Sequence, residues 1–103
     1  MSTLSLTEKS PGYYIVDGDL TFANIDKGTS KAFKFLKGME IIYIDLATVK
    51  STDSAGLALM IEWIKICQNS RIRLIFKNIP KQLHALAKLS GFDKNEYFAG
   101  DAS

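Results

Sequence analysis

Cysteine, histidine and tryptophan each occur once in the 103 residues and proline twice, and each scarcity closes off a class of protein. The single Cys67 has no partner for an internal disulfide, so no disulfide framework holds the fold and nothing marks an oxidising compartment. With one histidine, one cysteine and no glycine-rich phosphate loop, the chain lacks metal-ligand spacing and a nucleotide cradle, and the reading is of a protein without metal or cofactor. A nucleophile elbow needs glycines two positions either side of its serine, whereas Thr52 and Gly56 flank Ser54. The expectation is a protein that is not an enzyme. Thirteen basic against eleven acidic side chains leave a net charge of +2, without the basic stripe that nucleic-acid binding needs. No apolar run approaches the roughly 20 residues of a membrane span, because Glu62 and Lys65 interrupt the most apolar segment. The opening "MSTLSLTEKSPGYY" has neither a basic start nor an apolar core of signal-peptide length. A cytoplasmic protein with no direct membrane insertion is expected.

What is present is an ordinary globular composition, 47% hydrophobic and 23% charged, on a chain long enough for one core. One domain over 1–103 is expected, with 1–11 as a flexible lead-in. "YYIV" has strand character, Asp17 and Gly18 signal a turn, and "LTF" follows as the second strand of a hairpin. Ile25, Ala32, Phe33 and Leu36 recur at near-helical spacing over Ala23 to Lys37, with Gly38 as the stop. "MEIIYIDLA" reads as a central strand and "RIRLIF" as a further one, Ile72, Leu74 and Phe76 alternating with Arg71, Arg73 and Ile75. A helix spans Ser54 to about Asn69, and another follows Pro80 and ends at Gly91, with Leu83, Leu86, Ala87 and Ser90 on one face. The order β, β, α, β, α, β, α predicts an α/β fold with helices packed mainly on one face of a small mixed sheet.

The remaining candidates for chemistry have structural readings. Cys67 falls on the apolar face of its helix and reads as a small core hydrophobe. His84 reads as a boundary histidine flanking an apolar stripe. Lys27, Lys31 and Lys34, at helical spacing, read as a solvated face. Tyr13, Tyr14, Phe33 and Phe35 lack the interleaved basic motif of a base-stacking platform.

One stretch stands apart, "IDLATVKSTDSAGLALM" over 44–60, an apolar strand that leads through a polar turn into an apolar helix. Asp53 suits the N-cap, where a carboxylate accepts unpaired first-turn N–H groups and meets the helix dipole favourably. Ser54 then stands at the first helical position with its hydroxyl outward, and Gly56 lets another chain approach the turn. On the helical wheel Leu57, Met60, Ile61, Ile64 and Cys67 share the core face. Ala55, Leu59 and Ile66 lie between that face and the polar stripe, with Trp63 close by. An apolar rim beside a polar turn is the pattern of a docking surface, and Asp53, Ser54, Ala55, Gly56, Leu59, Trp63 and Ile66 are its expected partner-binding residues. The competing reading puts the same apolar side chains, Trp63 above all, into a wide core contact. An anion at the helix N-terminus is a third possibility, which the charge of Asp53 opposes.

Asp45, Leu46, Val49, Asp53, Ser54, Gly56 and Leu57 resemble the signature of STAS domains, small α/β modules of sulfate transporters and antagonists of anti-sigma factors. "GDLTFANI" resembles their early hairpin and "QLHALAKLSGF" their last helix. Thr52 stands where the signature usually has an apolar residue. In the antagonists a second Ser or Thr precedes the Gly and is phosphorylated by a switch kinase. The matching residue here is Ala55, which has no hydroxyl to accept phosphate. "DSAGLALM" resembles instead the stand-alone STAS subunits of Mla-type phospholipid ABC transporters in Gram-negative envelopes. That resemblance implies a cytoplasmic accessory subunit that binds the ATPase and, through it, the permease, peripheral to the inner membrane. The alternative it leaves is an anti-sigma factor antagonist or other signalling module. The apolar rim also permits self-association.

Overall fold

The computed structural model describes residues 4–21, 40–91 and Tyr97. Within them the chain forms β1 (Ser5–Ser10), β2 (Tyr13–Leu20), β3 (Ile41–Thr52), α1 (Ser54–Asn69), β4 (Arg73–Lys77) and α2 (Lys81–Leu89). The strands make one sheet in the order β1-β2-β3-β4. β1 runs antiparallel to β2, while β2, β3 and β4 are mutually parallel along the sheet. This is the mixed sheet the element order implied.

Two expectations about the first hairpin are corrected. The segment expected as a flexible lead-in forms β1, because Leu4 and Leu6 alternate with polar residues and pack against the core. The hairpin turn is Pro11–Gly12, where Gly12 supplies a φ of 80°. Asp17 and Gly18 make no turn. β2 runs through them to Leu20, and Gly18, at φ 105°, sits where the β2–β3 register shifts. β3 supplies the extra residues at both shifts, and at the first of them the Thr48 hydroxyl donates to the Val16 carbonyl at 2.8 Å. That bond satisfies an acceptor which the ladder would otherwise orphan. The helix expected over Ala23 to Lys37, with Lys27, Lys31 and Lys34, lies outside the described residues.

Alternation places the core on one side of the sheet. Val16 and Leu20 of β2, Ile42, Ile44 and Leu46 of β3, and Leu74 and Phe76 of β4 are buried together with Met60, Trp63 and Cys67 of α1 and Leu83 and Ala87 of α2. Each large apolar side chain so buried contributes about 1.5–3 kcal/mol. α2 begins after Pro80 at its N-cap and ends at Ser90, with Gly91 at φ 81°, close to the bounds its sequence implied. The opposite face of the sheet carries Tyr13, Ile15, Tyr43, Asp45 and Ile75, all only partly buried, with Ile41, Arg73 and Lys77 exposed.

Candidate functional site

The turn from β3 into α1 is the candidate site, and it is built from local hydrogen bonding upward. Asp53 has an extended backbone (φ −138°, ψ −168°), and its Oδ1 accepts the Ala55 N–H at 2.9 Å. Its carbonyl accepts Gly56 N–H at 3.0 Å, and its own N–H donates to the Leu20 carbonyl at 3.2 Å. Asp53 is therefore the N-cap, and it also ties the helix start to the end of β2. Ser54 opens the helix exposed, and Ala55 beside it is half-buried.

Gly56 works differently from the expectation. A Cβ built on it would meet Thr52 Oγ1 at 2.5 Å, the Leu20 carbonyl oxygen at 2.6 Å and Leu20 Cβ at 3.0 Å. The chain that approaches Gly56 is this protein's own β2, and the glycine lets the first turn of α1 rest on the ends of β2 and β3. Thr52 is the buried polar residue under this contact, 8% exposed, with its hydroxyl 3.4 Å from the Asp53 carbonyl. It fills an interior position, as the apolar residue usual in the family signature would.

The apolar rim is also corrected. Leu59 and Trp63 are buried in the core, at 4% and 1% exposure, and cannot line a surface. The buried arc of α1 comprises Gly56, Leu57, Leu59, Met60, Trp63, Ile64 and Cys67. It is thus rotated toward Trp63, and Ile61, expected within it, sits at its edge, partly buried. The wheel alone cannot set this rotation, because α1 is apolar over more than half its circumference and the sheet decides which part is covered. Of the expected residues, Asp53, Ser54, Ala55 and Ile66 retain exposed surface; Gly56, Leu59 and Trp63 support them from beneath. Exposed Ala58 and Glu62 lie beside Ser54 and Ala55 on the outer side of the helix.

Two of the other chemical candidates, Cys67 and His84, sit within the described fold, while Lys27, Lys31, Lys34, Phe33 and Phe35 lie outside the described residues. Cys67 is fully buried and burial pushes its thiol up to about 11, which disfavours the reactive thiolate. His84 sits half-buried at the edge of α2, with its Nε2 covered. No helix among the described residues is long and apolar enough to cross a membrane.

A second polar cluster, which the spacing of residues did not reveal, lies on the open face of the sheet. Asp45 Oδ2 accepts the Tyr13 hydroxyl at 2.7 Å, and its Oδ1 accepts Asn78 Nδ2 at 3.0 Å and Ala47 N–H at 2.9 Å. Burial works against the Asp45 charge, but the bonds from Tyr13, Asn78 and Ala47, with nearby Lys9, outweigh it and hold the carboxyl below its usual pKa. The same bond raises the Tyr13 phenol. These partners come from distant parts of the chain, so no short motif announces them.

The fold has a solved counterpart. The anti-sigma factor antagonist SpoIIAA in its unphosphorylated form superposes with a TM-score of 0.61 over 84% of this chain and 82% of that one, at 13% identity. At that identity the likeness is one of fold. No match is found among curated proteins. The family model for the STAS domain matches residues 6–99, a span that runs from β1 through both helices and takes in the Asp53–Gly56 turn. The chain belongs to the STAS domain family.

Proposed function

We propose that this STAS domain is a non-enzymatic docking subunit that binds the ATPase of an Mla-type phospholipid ABC transporter, in the manner of MlaB, and through it the permease. The observation that carries this reading is the pairing of an exposed Ser54 with Ala55 at the head of α1. Ser54 offers a partner a hydroxyl on a helix start fixed by Asp53 and packed on Gly56, and Ala55 offers a small apolar contact instead of a second phosphate acceptor. A surface held rigid before binding loses little entropy on docking, which favours a constitutive subunit. Half-buried Ile66 continues the apolar contact along α1. Such a subunit needs neither lipid nor nucleotide contacts of its own; it supports ATPase assembly from the cytoplasmic side, where it is peripheral to the inner membrane.

The test is an affinity pull-down of the tagged domain from gently solubilised native membranes beside its Ser54→Arg variant. Recovery of an ABC ATPase with its permease by the natural sequence and not by the variant supports the reading. The side chain at 54 is exposed, so the arginine leaves the fold intact, which a thermal melt checks. Recovery of a soluble switch kinase in place of the ATPase assigns the domain to anti-sigma regulation and overturns the transporter reading.

A further inference from the structure

The sheet face turned away from both helices holds residues that the α1 turn does not use. Strand register sets Tyr13, Tyr43 and Ile75 side by side across β2, β3 and β4, with Ile15, Asp45 and Lys77 in the next row and Ile41 beside Arg73 in the preceding one. Tyr13 and Tyr43 stack with centroids 5.9 Å apart and planes 24° from parallel, and Lys77 Nζ lies 5.7 Å from the centroid of the Tyr43 ring. Ile41 is 39% exposed although its strand is central to the sheet. The carboxylate within this patch, Asp45, is occupied by Tyr13, Asn78 and Ala47. Asp17, the next acidic side chain along β2, sits opposite Thr48, beyond the aromatic row. Lys9, Arg73 and Lys77 are exposed around the row, and among the described residues none of the three is held in an ion pair.

We propose that this open sheet face is a docking surface of its own, and that its occupant is an acidic protein segment whose carboxylates meet Lys9, Arg73 and Lys77 around an aromatic or aliphatic centre. Arg73, Lys77 and Lys9 ring the patch, and its central anion, Asp45, which Lys9 already favours, is taken up by hydrogen bonds from Tyr13, Asn78 and Ala47, so the outer cations invite carboxylates from a partner. Shape selects protein over membrane. Tyr13, Tyr43 and Ile75 are each only partly exposed, whereas insertion at a bilayer surface needs apolar side chains that project into the acyl boundary. Tyrosine and arginine are also the residues on which protein interfaces draw most. The face is separate from the Asp53–Gly56 turn, so this inference stands whether or not an ATPase binds there.

Isotope-labelled domain titrated with a synthetic peptide of repeated Glu-Tyr-Glu-Leu units, read by NMR, tests it. Shifts are expected at Tyr13, Ile41, Tyr43 and Ile75, with α1 unmoved, and a Lys-Tyr-Lys-Leu peptide of equal length should leave them in place. The Arg73→Glu/Lys77→Glu variant should bind the acidic peptide about tenfold more weakly. Both side chains are exposed, and Arg73→Gln/Lys77→Gln supplies a milder version if the reversal disturbs folding. Equal response to both peptides, or none at the sheet face, overturns the proposal. Concentration-dependent shifts on the same face without peptide would assign it to a second copy of the chain, and binding to vesicles containing phosphatidylglycerol with these same shifts would assign it to lipid; either also overturns it.

Discussion

Asp53 and Asp45 are each held by backbone and side-chain order, but one is held by its neighbours and the other by the whole sheet. Asp53 caps α1 through the Ala55 N–H two residues on, whereas Asp45 takes Tyr13 from β2 and Asn78 from beyond β4. The consequence is a difference in what each region can do. The Asp53 turn leaves an exposed serine on a fixed helix start, suited to specific contact, while the Asp45 cluster consumes its charge internally and leaves cations around it, suited to electrostatic attraction.

The α1 turn depends most on the core beneath it. Trp63→Ala should destabilise the domain by about 3–5 kcal/mol in denaturant unfolding, since the side chain is fully buried. A variant that unfolds normally yet fails to dock would instead return Trp63 to the interface. Next comes Gly56→Ala, which drives a methyl against Thr52 and the Leu20 carbonyl and should cost about 1–3 kcal/mol despite alanine's better helix propensity. An unchanged melting temperature would mean that the ends of β2 and α1 separate easily. Asp53→Ala removes one cap bond and should cost about 1 kcal/mol, with Asp53→Asn recovering most of it. If alanine and asparagine melt alike, the cap contributes little and the tie to Leu20 holds the turn.

The smallest effects sharpen the contrast through pH. The Asp45 pKa is depressed in the folded state, so as pH falls the unfolded chain binds the proton first. The stability this bonding contributes is present above the unfolded value near 3.8 and is lost as pH falls through the folded one. Asp45→Asn should flatten that acid limb, and an acid limb unchanged in the variant would place the acid sensitivity elsewhere. Tyr14 sits on the core side, its hydroxyl donating to Glu8 at 3.0 Å, and burial with that bond pushes its phenol up to about 12. Its contribution is complete below about pH 10 and declines toward about pH 12, so Tyr14→Phe should lessen the alkaline loss of stability. An identical alkaline limb in the phenylalanine variant would remove Tyr14 from that account.

Much of this is legible in the amino-acid sequence. The bounds of α1, the Asp53 cap and the alternation of Ile72, Leu74 and Phe76 all follow from neighbours within a turn or a strand, where propensity and period act directly. The first hairpin was less legible, because Asp17–Gly18 is as good a local turn signal as Pro11–Gly12, and only the pairing of β2 with β3 makes it a register shift within a strand. Leu59 and Trp63 show the same limit. Their apolarity is evident, but a helix apolar over so wide an arc can be turned toward the sheet in more than one way.

The amino-acid order alone set the types of β3, β4, α1 and α2, the capped start of α1 and the serine-then-alanine pair that begins it, since these are properties of residues close along the chain. Tertiary structure alone decided that β2 closes over Gly56, that Trp63 faces inward, and that Tyr13, Asp45 and Asn78 meet on an open cationic face. Each of these joins residues far apart in the chain, and such contacts exist only once strand order and register have brought those residues together.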